Sequence, residues 1–152
     1  FLIRKSRINK LPGSLIPGVP ASDNLLIRDL RIKNKKIEII PIPGPSAIVS
    51  ALSVSGFPTD KFLFLGFPPH KNKRQKFFQE AAASPYTVCF YESNHRIEKC
   101  LKEIPEHFSV DRKILIGREL TKQFESFYIG TVGGLVDMRI PAKGEFVVVI
   151  SN

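Results

Sequence analysis

The chain has 152 residues, room for one packed domain or for one domain and part of another. A hydrophobic content of 43% and a charged content of 24% are those of a soluble globular protein, and no stretch approaches the length of a membrane span. The net charge of +9 points to an anionic partner, with nucleic acid ahead of membrane. Cys89 and Cys100 do not form a Cys-x-x-Cys pair, and His70, His95 and His107 show no metal-ligand spacing. Neither a zinc site nor a disulfide framework is therefore expected. The chain opens on Phe1 rather than Met, as a fragment or processed product would, and its first residues lack a signal-peptide core. A cytoplasmic protein is the expectation.

Residues 1–36 have no clear periodicity and hold nine of the basic residues, from Arg4 to Lys36, against Asp23 and Asp29. Leu25 to Leu30 is compatible with a helix, and Ile37-Glu38-Ile39-Ile40 reads as a buried strand. An apolar helix follows over 46–55, begun after Pro45 and stopped by Gly56. Phe62-Leu63-Phe64-Leu65 predicts a strand. Residues 71–83 predict a helix with Phe77, Phe78 and the alanines inward, and 86–91 predict a strand with Cys89 in the core. Ile97, Leu101 and Ile104 mark one face of the next helix. Strands at 113–116, 124–129 and 145–150 complete the pattern, with a short helix at 132–138 that Gly133 and Gly134 weaken. Alternating strands and helices indicate a three-layer α/β domain, and the hairpin-like spacing of the last strands favours a mixed sheet over a parallel one.

Several blocks between these elements carry side chains suited to chemistry. Pro43-Gly44-Pro45-Ser46 joins a strand to a helix. Its stiff turn and the helix's free N–H groups suit a carboxylate or a hydroxyl, and a plain hinge explains it equally well. Tyr91-Glu92-Ser93-Asn94-His95-Arg96 lies at a strand's carboxyl end, where open α/β sheets bind ligands. There Glu92 is placed to pair with Arg96, and Ser93 or Asn94 to cap the helix. Gly117-Arg118-Glu119-Leu120-Thr121-Lys122 repeats the pattern, with Arg118 suited to a phosphate, an acidic partner or a structural pair with Glu119. Lys143-Gly144-Glu145 enters the last strand, and Gly144 permits close backbone approach. Lys71, Lys73, Arg74 and Lys76 form a basic cluster that is either a solubilising surface or an anion-binding one. There is no P-loop, Gly-x-Gly-x-x-Gly or Gly-x-Ser-x-Gly.

Taken in this order, Pro43-Gly44-Pro45-Ser46-Ala47, Gly66-Phe67-Pro68-Pro69, Tyr91-Glu92-Ser93 with His95-Arg96, Arg118-Glu119-Leu120-Thr121-Lys122 and Lys143-Gly144-Glu145 resemble the tetrapyrrole-methylase superfamily of S-adenosylmethionine-dependent enzymes. Within it they are most similar to the ribosomal small-subunit methyltransferase I family, which methylates a ribose 2′-hydroxyl of 16S rRNA. The match is good over 37–152. Before that, the superfamily's first-domain motifs survive only as Gly18-Val19-Pro20 and Ser22-Asp23.

The resemblance implies two α/β domains with the methyl donor between them. Residues 1–43 would be the remnant of the first domain and 44–152 a three-layer, mixed-sheet C-terminal domain. It implies that Gly18, Pro20, Pro43, Gly44, Pro45, Ser46, Tyr91, Glu92, Gly144 and Glu145 contact S-adenosylmethionine. His95, Arg96 and Thr121 would face substrate, with Lys71, Lys73 and Arg74 on RNA phosphates. Glu119 or Lys122 would assist proton removal from the ribose hydroxyl beside Arg118, and no metal is needed. The implied partners are the small ribosomal subunit and a second copy of the chain. A precorrin-type small-molecule methylase and an inactive RNA-binding or dimerisation fragment are the alternatives.

Overall fold

The computed structural model describes residues 46–152, in essence the second of the two units into which the chain divides, Ala47–Asn152. The elements expected at 25–30 and 37–40, and the candidates Gly18, Pro20, Pro43, Gly44 and Pro45, lie outside the described residues.

Helix α1 (Ala47–Ser55) ends where Gly56 takes the left-handed conformation at φ 68°. Strand β1 (Phe62–Phe64) is short, and helix α2 (Arg74–Ala83) follows. This helix starts later than the sequence suggests, because Lys73 is left-handed (φ 66°) and precedes it in a turn. Strand β2 (Thr87–Ser93), helix α3 (Ile97–His107), strands β3 (Lys113–Arg118) and β4 (Ser126–Thr131) and strand β5 (Glu145–Ile150) complete the unit. The expected helix near 132–138 is a 3-10 turn, Gly133–Asp137, in which Gly133 packs so closely on Val110 that a Cβ would lie 3.1 Å from its side chain. Neither Ser93 nor Asn94 caps α3. Arg96 holds the N-cap position without a side-chain cap, and the Ser93 hydroxyl instead accepts from Arg96 Nε at 3.2 Å.

The five strands form one sheet in the order β1-β2-β5-β3-β4. β1 and β2 are parallel and every other pairing is antiparallel, so the sheet is mixed. Period-two alternation sends successive side chains to opposite faces and divides the apolar residues into two cores. Val88, Phe90, Ile114, Ile116, Val148 and Ile150 pack with Phe78, Ile97, Cys100 and Ile104 of α2 and α3. Cys89, Leu115, Val147 and Val149 pack with Ile48, Ala51 and Leu52 of α1. The three layers are thus α1, the sheet, and α2 with α3. Strand β5 is buried on both faces, which explains its unbroken run Phe146-Val147-Val148-Val149-Ile150.

Candidate active site

The strand register gathers the chemically equipped blocks at one edge. Ser93 at the end of β2 lies opposite Glu145 at the start of β5, and Arg118 at the end of β3 lies opposite Phe146 and Ser126. The parallel ladder reaches the same edge, since Leu65 N donates to Cys89 O at 2.9 Å and Tyr91 N to Gly66 O at 2.8 Å. The carboxyl ends of β1, β2 and β3 therefore open side by side, where an α/β sheet places its ligand.

The loop after β3 is closed on itself. Arg118 Nε donates to Lys143 O at 2.5 Å and Nη1 to Phe124 O at 3.2 Å. Glu119 takes φ 52°, and its N–H donates to Glu145 O at 2.9 Å. Its Oε1 accepts from Glu145 N at 2.8 Å and from Lys122 Nζ at 3.1 Å. Lys122 Nζ also donates to Glu145 Oε2 at 3.0 Å. Thr121, left-handed at φ 65°, donates its N–H to Glu125 Oε2 at 2.7 Å. Glycine is required at 144 on two counts: φ is 116°, and a Cβ would sit 2.7 Å from Glu119 Cγ.

These bonds already engage the three side chains expected to be catalytic, Glu119, Lys122 and Arg118. The Glu145 N–H, and after it the Lys122 ammonium, hold the Glu119 carboxyl below the usual range. Glu145 and then Glu119 push the Lys122 ammonium up. A proton acceptor needs the reverse in both cases, a carboxylate raised toward neutrality or an amine lowered to it. Arg118 spends its Nε and Nη1 donors on backbone carbonyls rather than presenting them to a ligand. The three side chains tie the loop after β3 to the start of β5.

The second cluster is buried. Glu92 Oε2 accepts from Arg74 Nη2 at 3.2 Å and Nη1 at 3.3 Å. Its Oε1 accepts from Ser93 N at 2.8 Å and pairs with Arg96 Nη2 at 3.0 Å, so the expected Glu92–Arg96 pair is present. Arg74 Nε also donates to Glu103 Oε2 at 2.7 Å. The two guanidiniums then reach across to the preceding loop, Arg74 Nη1 to Pro69 O at 3.1 Å and Arg96 Nη1 to Pro68 O at 3.0 Å. Arg74 is 3% exposed, which overturns its expected place in an RNA-facing patch. Lys71, Lys73 and Lys76 are exposed. Glu92 is 1% exposed, and protein donors hold both of its oxygens.

Helical spacing carries the signal for Arg74, since Arg74, Phe78 and Ala81 fall at i, i+4, i+7 and share the buried face of α2. Glu103, adjoining Ile104 on the buried face of α3, was not among the candidates. Of the rest, His95, Thr121 and Glu145 are exposed at the edge and Tyr91 and Ser46 are half-buried. Tyr91 lies between Phe64 (ring centroids 5.2 Å apart) and Phe67 (5.3 Å), and burial pushes its phenol up. Among the described residues no His, Cys, Asp and Glu group could hold a metal, and no helix is long and apolar enough to cross a membrane.

Residues 15–136 match the family model described as Tetrapyrrole (Corrin/Porphyrin) Methylases. The chain belongs to that family. Among curated relatives of this tetrapyrrole methylase, the ribosomal RNA small subunit methyltransferase I of Xylella fastidiosa is 40% identical over 133 residues, 84% of this chain and 48% of the relative. The protein of the same name from Mesorhizobium japonicum is 44% identical over 118 residues, 75% of this chain and 40% of its own. The chain thus spans about half the length of the curated relatives it matches. Among solved structures, the methyltransferase CobJ superposes with a TM-score of 0.64 at 24% identity, covering 90% of this chain and 61% of that one. The cobalt precorrin-4 methyltransferase CbiF gives 0.57 at 16%, over 86% and 59%. At such identities the likeness is one of fold.

Proposed function

We propose that the chain is the substrate-side part of an S-adenosylmethionine-dependent methyltransferase that modifies a ribose 2′-hydroxyl in 16S rRNA, working in the cytoplasm as a homodimer. One observation carries this reading. The tetrapyrrole-methylase sheet edge is joined directly to an exposed basic turn, Lys71 and Lys73, locked to that edge by the buried Arg74 and the half-buried Arg96. A small tetrapyrrole substrate gives no reason for such a turn, whereas RNA phosphates do. The names of the relatives agree with it. The likeness to CobJ and CbiF bears on fold alone, so it does not favour a corrin substrate.

The residues at the edge fit the methyl donor by their chemistry. Glu145 presents an exposed carboxylate, Gly144 lets the chain pass tightly against the Glu119 side chain, and the left-handed Glu119 and Thr121 turn the loop beside them. Ser46, Tyr91, Gly144 and Glu145 would hold the donor, which supplies the electrophilic methyl group when bound. His95 and Thr121 lie toward the substrate, and Arg96, whose nitrogens are held by Ser93, Pro68 and Glu92, positions the loop beside them. The contribution of this half is positioning, since fixing acceptor and donor in line supplies most of the rate of such a displacement.

The test combines two measurements on the full chain. Calorimetry should detect S-adenosylmethionine binding. Lys71→Glu with Lys73→Glu should weaken binding to 16S rRNA fragments and flatten its salt dependence by about one to two units of slope. Unchanged affinity and slope would remove the RNA assignment, and light scattering at the mass of one chain would remove the homodimer.

A further inference from the structure

The loop that precedes the basic turn carries an aromatic group in an unusual setting. The β1–β2 ladder runs on to Gly66, whose carbonyl accepts the Tyr91 N–H, and the chain then reverses through Gly66 at φ 72°. No atom lies within 4 Å of a Cβ built there, so the turn rather than crowding selects glycine. The next residue, Phe67, is 56% exposed, while Pro68 is buried. Phe67 nevertheless has a fixed place. The Pro68 and Pro69 carbonyls are gripped by Arg96 and Arg74, and its ring leans on Tyr91 at 43° between planes. Tyr91 is itself backed by Phe64, edge on at 72°. A solvent-facing phenyl ring thus stands at the mouth of the site on a buried ionic scaffold, with His70, Lys71 and Lys73 exposed in the residues that follow.

We propose that Phe67 is a base-stacking platform that receives an unpaired nucleobase of the RNA as the lysines hold the adjoining phosphates. The inference rests on the RNA reading above and adds to it a residue and a mode of recognition. An exposed aromatic face gives affinity for any base through its π surface, independently of sequence and of salt. The lysines give the salt-dependent part. Stacking in a duplex fixes each nucleotide along the helix, and a ring that takes over the stacking of one base holds that nucleotide in the single-stranded form, free to turn its ribose toward the site. Burying the exposed Phe67 face against a base also removes it from water.

The protein contains no tryptophan, so Phe67→Trp introduces one fluorophore at the platform. The probes are a single-stranded RNA oligonucleotide, the same backbone with abasic residues, and heparin as a polyanion without bases. Phe67→Trp should retain the parent's RNA affinity, and its emission should be quenched by the RNA but not by the abasic strand or heparin. Phe67→Ala should weaken RNA binding about tenfold with an unchanged salt slope and leave abasic-strand binding as in the parent. Phe67→Ala binding as tightly as the parent, or bound RNA that leaves the Phe67→Trp emission unchanged, would overturn the platform while the RNA reading stands. Failure of the parent to bind RNA would overturn both.

Discussion

Replacing Glu92 by glutamine preserves shape and removes one charge from the centre of the buried cluster. Four donors converge on the carboxylate: Ser93 N at 2.8 Å and Arg96 Nη2 at 3.0 Å on one oxygen, Arg74 Nη2 at 3.2 Å and Nη1 at 3.3 Å on the other. An amide has one oxygen, so its NH2 must face one of the two donor sets and cost that guanidinium one of its partners, although Arg74 keeps Glu103 and Arg96 keeps the Pro68 carbonyl. The side chain of Arg74 is 4% exposed, and water cannot replace the lost partner. Depriving a buried charge of one of its partners, rather than of all of them, costs about 1–3 kcal/mol, still more than an exposed pair returns. The matched control is Glu80→Gln, whose partner Lys76 lies at 3.5 Å with both side chains more than 60% exposed, and it should cost under about 0.5 kcal/mol. Urea unfolding of the three proteins, fitted with a common slope, measures both differences. A Glu92→Gln loss below about 1 kcal/mol, or no larger than that of the control, would refute the claim that the cluster is desolvated and complete.

The remaining predictions concern the loops and the thiols. Gly144→Ala should cost about 1–3 kcal/mol by urea unfolding, because it combines φ 116° with a Cβ 2.7 Å from Glu119 Cγ. The Glu119 carboxyl is held below its ordinary value in the folded chain, so its contribution is complete above the usual carboxylate range and fades as the pH falls through the depressed value. Glu119→Gln should therefore be destabilising at neutral pH and converge on the parent in acid, as urea midpoints against pH would show. Burial pushes the Cys89 thiol up to about 12 and Cys100 higher still. Neither should react with a thiol-specific disulfide reagent at pH 8 until the protein is unfolded, and rapid labelling of the native chain would contradict the burial of both.

Much of the second unit could be read along the chain because local signals and tertiary packing agree there. The strand at 87–93, the helix with Ile97 and Ile104 inward, and the helix stop at Gly56 all follow from periodicity and turn chemistry. The Glu92–Arg96 pair followed from helix-start spacing. What escaped depends on residues distant in sequence. Arg74 sits among lysines and reads as one of a basic group until its carboxylate partners arrive from 18 and 29 residues further on. Glu119 and Lys122 have the residue types of a catalytic pair, and only Glu145, brought alongside by strand β5, shows that their charges are already answered. The left-handed conformations of Glu119 and Thr121 have no signature in residue type at all.

Strand β5 also governs when the unit can fold. It lies between β2 and β3, which do not pair with one another, so without it the sheet is two separate ribbons, β1 with β2 and β3 with β4. Two-stranded ribbons are marginal in water. As synthesis proceeds, the apolar faces of four strands and three α-helices of the described unit emerge before the strand that joins them, and its contacts with β2 span more than fifty residues. Long-range closure of this kind is slow and leaves β2 and β3 with open edges in the meantime. Emergence of β5, rather than of the first helices, is then the event that commits this unit to its native sheet.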